Sequence, residues 1–249
     1  MRESQSMLDN KNVRLISEGK SKRVYADDNW VYLDFKGDVR CSAFGTKYDE
    51  RIAILRAKSS YAFYKYLSDK MEGIAYVEQV SSTILKMEYA TPLPFEWIPR
   101  FVAAGSVVKR FDFKEGHIFK NPVLKIDYKT MVDDYLINDD LIIEMGIINE
   151  DMLKEARQLA LDVANSLEEM CSGKNTNLWD LKLELGISKQ GKIILIDEIS
   201  FDGMRLKDQI SGESLDKDVY RETGDVESVI NAYEKGYMKL FGGEHICLT

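Results

Sequence analysis

Hydrophobic and polar positions alternate most regularly between Asp180 and Ile196. Leu181, Leu183, Leu185 and Ile187 fall on one face of an extended chain, with Lys182 and Glu184 on the other. Ser188-Lys189-Gln190-Gly191 reads as a turn into Ile193-Ile194-Leu195-Ile196, so the segment predicts a β-hairpin. Helical spacing appears elsewhere. Ile52, Leu55, Ser59, Ala62, Phe63, Tyr66 and Leu67 predict an amphipathic helix over about Asp49 to Lys70. Leu153, Ala156, Ala160, Val163 and Leu167 predict a second, from about Asn149 to Cys171, capped by Asn149. A last helix starts near Asp225, carries Val226, Val229, Ile230, Tyr233, Tyr237 and Leu240, and stops at Gly242-Gly243.

The first dozen residues are polar and expected to be frayed. Strands are expected from Val13 to about Phe35, with a turn at Ala26-Asp27-Asp28-Asn29, and around Ile74–Gln79, Thr83–Met87 and Phe95–Ile98. Strands thus concentrate in the first hundred residues and mix with helices afterwards, which predicts an α+β fold. Pro92 and Pro94 break the pattern, so the expected organisation is a β-rich amino-terminal lobe, residues 1–91, and a mixed α/β lobe, residues 92–249. A junction of that kind is a common place for a ligand cleft.

Composition narrows the classes. A formal charge of −8 argues against nucleic-acid binding, and no apolar run approaches the length needed to cross a bilayer. Met1-Arg2-Glu3-Ser4-Gln5-Ser6 does not open a signal peptide, and three scattered cysteines suggest no disulfide framework or zinc site, so a cytoplasmic protein is expected. With only His117 and His245 available, chemistry built on a histidine base is not the first expectation.

Candidate chemistry lies in four places. In the hairpin, a turn that pairs Lys182 or Glu184 with Asp197 puts all three on one face, whereas a one-residue slip sends Asp197 to the other. In the favourable registers Glu184 and Asp197 lie roughly 5–8 Å apart and repel unless a cation sits between them. Hard oxygen ligands beside substrate phosphates suit Mg²⁺, although the alternation alone equally describes a solvated sheet face. In Glu18-Gly19-Lys20-Ser21-Lys22, Gly19 permits close backbone approach, and Lys20 and Lys22 can project together toward a polyphosphate. It is no P-loop: Arg14 stands where the first glycine is required, and a strand follows. Between Arg100 and Arg110, Ala103-Ala104-Gly105-Ser106 sits between basic flanks as a phosphate cup or the start of a helix. Asp202-Gly203-Met204-Arg205 brings a further guanidinium to the hairpin's end.

In this order the pieces resemble the SAICAR synthetase family of purine biosynthesis. Its patterns E-G-K-x-K-x-x-Y, R-N-x-A-A-G-S-x-x-K/R-R, D-F-K-L-E-F-G, D-E-[FI]-S-P-D-x-x-R and L/M-D-K-D-x-[FY]-R correspond to Glu18–Tyr25, Arg100–Arg110, Asp180–Gly186, Asp197–Arg205 and Leu215–Arg221. The resemblance implies a two-lobed fold with ATP in the cleft. It also implies an ATP-dependent ligase that phosphorylates the carboxylate of carboxyaminoimidazole ribonucleotide and joins it to L-aspartate. Gly19, Lys20 and Lys22 would then meet the ATP phosphates, and Lys86 and Met87 the adenine. Glu184 and Asp197 would hold Mg²⁺, and Arg100, Ser106 and Arg205 the ribonucleotide phosphate. Lys182 and Asp202 would lie close to the reacting groups. The sequence leaves self-association open. It departs from the family at Ile52–Lys58, which lacks two glycines, and at Tyr135 and Phe201, which replace prolines, so the amine pocket is expected to differ in shape. The same ligation on another carboxylate or amine is the alternative.

Overall fold

The structure, a computed structural model, describes residues 12–130 and 132–242. The polar amino-terminal stretch, residues 1–11, and Gly243 therefore lie outside the described residues. The first sheet is antiparallel and is drawn entirely from the first ninety residues. Its strands are β1 (Arg14–Glu18), β2 (Lys22–Ala26), β3 (Trp30–Phe35), β6 (Val77–Gln79) and β7 (Ile84–Glu88), in the order β1-β2-β3-β7-β6. Between β3 and β6 come a small hairpin, β4 (Asp38–Cys41) with β5 (Gly45–Tyr48), and helix α1 (Glu50–Ser68). Asp49 caps α1 by accepting from the Arg51 amide.

The second sheet runs β11-β10-β9-β12-β15, from β9 (Phe95–Val102), β10 (Ile118–Lys129), β11 (Asp134–Leu136), β12 (Thr176–Leu181) and β15 (Met204–Asp208). Short helices α2 (Ser106–Arg110), α3 (Asp139–Glu144) and α5 (Asp218–Thr223) punctuate it. The long α4 (Glu150–Ser172), capped by Asn149, packs on β12, and α6 (Val226–Phe241), capped by Asp225, packs on α1. A third sheet, β14-β13-β8, joins the hairpin β13 (Glu184–Ser188) and β14 (Ile193–Ile196) to β8 (Ala90–Pro92). The proline-marked junction is therefore itself a strand. Gly186 is required there, because a Cβ would stand 2.9 Å from the Thr91 carbonyl oxygen.

Asp180 to Ile187 is not one strand, as the alternation suggests. Asp180 and Leu181 end β12 in the second sheet, the Lys182 amide donates to the Gly203 carbonyl at 2.7 Å, and only from Glu184 does the chain join the third sheet. The hairpin itself forms, with Glu184 opposite Ile196.

One buried stripe of α1 fastens the segment after β14. Arg56, 1 % exposed, donates through Nε to Asp202 and through its terminal nitrogens to the carbonyls of Lys36 and Asp38. One turn later the Ser60 hydroxyl accepts from the Ile199 amide at 3.2 Å. Phe201, fully buried, packs edge-on against Phe63 and tilted against Tyr233. It fills the core between α1 and α6 rather than a ligand pocket. Tyr135 is exposed on β11.

Asp202 also accepts from Tyr233 Oη at 2.8 Å and pairs with Lys217 at 3.2 Å. Burial alone pushes its carboxyl up, but Arg56 and Lys217 outweigh burial and hold it well below the usual carboxylate range. A depressed folded pKa contributes stability that is present above the unfolded value of about 4 and is lost as the pH falls toward the folded one. Asp202→Asn should therefore destabilise the protein by on the order of 3 kcal/mol near neutral pH by leaving Arg56 underpaired. In thermal melts, its deficit against wild type should narrow as the pH is lowered from about 6 to about 3.

Candidate active site

A cavity of about 360 Å³ opens where the first sheet faces the hairpin. Its walls are apolar, built by Val24, Val31, Leu33 and Met87 from the first sheet and by Ile196 opposite. Its far end is ionic. Gly19, Ser21 and Lys22 close it from the turn into β2, and Lys129, Glu184 and Asp197 from the other side. An apolar slot ending in charge suits a flat ring with an anionic tail.

The hairpin register is the unfavourable one. With Glu184 opposite Ile196, regular pairing would turn Asp197 to the face away from Glu184. Asp197 instead takes a left-handed backbone, φ 69°, which ends the strand and brings its carboxylate to the same cavity as Glu184. A non-glycine residue held there is strained and persists only where its surroundings impose it.

The ionic end is a continuous network. Lys22 Nζ lies 3.0 Å from Asp197 and 3.1 Å from Glu198, and the Ser21 hydroxyl donates to Glu198 at 3.0 Å. Lys182 Nζ reaches Glu184 at 3.0 Å and Glu96 at 3.1 Å, and Lys129 reaches Glu184 at 2.7 Å. Burial opposes the charge on Lys22, yet Asp197 and Glu198 outweigh it and raise its pKa. Burial also pushes Glu184 up, but Lys182, Lys129 and Lys22 outweigh it and hold it at about 2. Asp197 is raised, first by burial and then by Glu184 and Glu198, against the pull of Lys22.

A second cluster lies on the second sheet, two residues upstream of Lys182. Arg100 donates to Asp180 at 2.7 Å and to the Ala104 carbonyl at 2.6 Å, and Arg205 Nη1 donates to the same carboxylate at 2.8 Å. Arg205 also lies against Gly105, whose φ is 58° and where a Cβ would stand 2.8 Å from its Nη2. Ser106 follows as the first residue of α2. Burial lowers the Arg100 pKa, and Asp180 only partly offsets it. Arg205 Nε also pairs with Asp218 at 3.1 Å, and Arg221 contacts the same carboxylate, so three guanidiniums meet two carboxylates and leave capacity for an anion.

The structure thus brings Gly19, Lys22, Met87, Glu184 and Asp197 to one cavity with Lys182 adjoining, and it groups Arg100, Ser106 and Arg205. Three candidates stand apart. Lys20 is exposed and lines a separate depression with Glu18, Lys36 and Arg40. Lys86 points to the other face of β7 from Met87, where its ammonium stacks on Trp30 at 4.2 Å and pairs with Glu78. Asp202 is spent on Arg56, Lys217 and Tyr233 and is not among the cavity's lining residues. Sequence reasoning passed over Glu96, Lys129, Asp180 and Glu198. It also passed over Arg56, although a charged residue on the apolar stripe of a helix was a visible signal.

Residues 15–240 match the SAICAR synthetase family. A phosphoribosylaminoimidazole-succinocarboxamide synthase of Staphylococcus epidermidis is 34% identical over 91% of this chain and 97% of its own. One of Methanoculleus marisnigri is 37% identical over 85% of this chain and 89% of its own. Among solved structures, a SAICAR synthetase in complex with ADP superposes with a TM-score of 0.85 at 32% identity, covering 91% of this chain and 97% of the other. The synthase of Ehrlichia chaffeensis also gives 0.85, at 29% identity, covering 91% and 98%.

The two lysines on the first sheet should separate cleanly. Lys22→Ala should weaken ADP binding by tenfold or more, since it removes the ammonium at the cavity's ionic end, whereas Lys86→Ala should leave binding within about twofold. Isothermal titration of both variants checks this.

Proposed function

The chain belongs to the SAICAR synthetase family, ATP-dependent ligases of purine biosynthesis, and we propose that it joins carboxyaminoimidazole ribonucleotide to L-aspartate through an acyl phosphate in the cavity between its two lobes. The strands before β8 and the turn into β2 supply Gly19, Lys22 and Met87, and the chain after β8 supplies Lys129, Glu184 and Asp197. One observation carries this reading. The Asp180–Glu184 segment leads directly from the Arg100–Arg205 cluster, through Lys182, to the ionic end of the cavity. A ribonucleotide phosphate held by Arg100, Ser106 and Arg205 then leaves its carboxylate facing the γ-phosphate of an ATP whose base lies in the apolar slot.

The reaction asks little covalent work of side chains. A substrate carboxylate oxygen attacks the γ-phosphorus and ADP departs. The aspartate amine then attacks the acyl carbon and phosphate departs, leaving an amide. Lys22 and Lys182 hold and neutralise phosphoryl oxygens, and the arginine pair fixes the carboxylate substrate for in-line attack. The ionic end sets four carboxylates (Glu96, Glu184, Asp197 and Glu198) against three ammonium groups, so a polyphosphate cannot enter without added positive charge. Among the described residues no three acidic, cysteine or histidine side chains form a ready metal cage. Glu184 and Asp197 on one cavity fit the Mg²⁺ mode, in which one or two carboxylates complete a shell of phosphate oxygens and waters. When bound, Mg²⁺ would supply the missing charge on the transferring phosphoryl group. The protein is proposed to act in the cytoplasm. No described helix is long and apolar enough to cross a membrane.

Glu184→Gln and Asp197→Asn should each lower turnover by two orders of magnitude or more. Asp197→Asn should move the melting temperature little, because burial and the neighbouring carboxylates already disfavour its charge, whereas Glu184→Gln should also lower it by leaving Lys182 and Lys129 underpaired. Ser106→Ala and Arg205→Ala should raise KM for the ribonucleotide more than KM for ATP. The deciding assay is ADP release with carboxyaminoimidazole ribonucleotide and a panel of amines. Aspartate should be the best acceptor. Robust release with another amine and none with aspartate would reassign the acceptor while leaving the ligase chemistry in place.

A further inference from the structure

Tyr64 is 2 % exposed, and its hydroxyl has no hydrogen-bond partner in the structure. A buried hydroxyl without a partner costs about 1–3 kcal/mol, and in native proteins such a group commonly marks a water or ion. Its place on α1 says where that partner lies. Arg56, Ser60 and Tyr64 are spaced four apart on one buried stripe, and the first two engage Asp202 and the Ile199 amide. The stripe and the segment run in opposite senses. Four helical residues advance ~6 Å, and two extended residues ~6.6 Å, so Tyr64 comes level with Asp197. The electrostatics agree: burial, and after it Asp197, Glu184 and Glu198, push the Tyr64 pKa well up.

We infer that the Tyr64 hydroxyl is a positioning group for the Mg²⁺ site, donating to a water or carboxylate oxygen of the Glu184–Asp197 set and holding those ligands in place from behind. This rests on the metal reading above. The hydroxyl acts through the ligands and touches neither substrate. It supplies a hydrogen bond from a fixed point on the helix to a carboxylate that a strained backbone has swung into the cavity. In the structure the hydroxyl bonds neither carboxylate, so on this reading the bond forms as the ion seats its ligands.

The test is Tyr64→Phe, which removes one oxygen and keeps the ring. ADP binding to wild type and variant is titrated with and without Mg²⁺, alongside thermal melts. The expected result is unchanged ADP affinity without Mg²⁺, a Mg²⁺-dependent gain reduced about tenfold, the size of one lost hydrogen bond to a charged group, and a metal-free melting temperature equal to or above wild type. A full Mg²⁺-dependent gain in the variant would overturn the proposal and leave Tyr64 a packing residue. A clear fall in the metal-free melting temperature would also overturn it, by showing that the hydroxyl's partner belongs to the protein alone. If wild type shows no Mg²⁺-dependent gain, the metal reading itself fails and this inference goes with it.

Discussion

The Arg56 guanidinium, buried on α1, is the constraint around which the site is arranged. Arginine cannot shed its proton to escape burial, so the chain has to bring acceptors to it. They come from two separate places: the carbonyls of Lys36 and Asp38 at the end of the first sheet, and the Asp202 carboxylate after the hairpin. One side chain thereby ties the end of the first sheet, α1 and the loop after β14 into a fixed relation. Asp202 is consumed in doing so. Lys217 and Tyr233 complete its shell, which makes it a structural anchor rather than a proton acceptor for chemistry.

With that loop anchored, the geometry of Asp197 follows. The loop must leave β14 in a direction that a regular strand would not take, and the left-handed φ at Asp197 makes the turn. The cost of order 1–3 kcal/mol is carried by the contacts on either side: Lys22 on its carboxylate, and Ser60 on the Ile199 amide two residues later. The ionic network around it is balanced just short of neutrality. Such a network is stable while each charge has a partner and is costly to break, since unpairing any one member leaves a buried charge. It also favours any ligand that arrives with its own cation.

Much of this was legible in the sequence, and the failures have physical causes. Helices with strong apolar spacing and a capping residue, at Asp49, Asn149 and Asp225, start where the caps place them. The hairpin was likewise readable from its turn chemistry and the arginine cluster from residue type, whereas Lys20 and Lys22 were expected together and line separate depressions. Pairings between distant segments were not. Alternation continues unbroken through Leu181–Leu185, yet the chain changes sheets there, because Lys182 pairs with Gly203 and Leu183 with Trp97. Nothing in a local pattern reports that exchange. Lys86 shows the complementary limit: period-two alternation puts it opposite Met87, so a lysine and a methionine that are adjacent in sequence cannot both face one base.

The departures from the family pattern take a different meaning once placed. Phe201, standing where the family has proline, is swallowed by the core between Phe63 and Tyr233, and Tyr135 lies on an exposed edge strand. Neither lines the cavity. A motif position is shared by a backbone and a side chain, and replacing proline with an aromatic changes both. At Phe201 the ring has gone into packing while the backbone keeps the approach of Asp202 to Arg56. Gly19, Lys22, Lys182, Glu184 and Asp197 at the ionic end, and Arg100, Ser106 and Arg205 in the arginine cluster, match the family's motifs. Packing around a ring such as Phe201 can be re-solved in many ways, whereas phosphate charge can be handled in few.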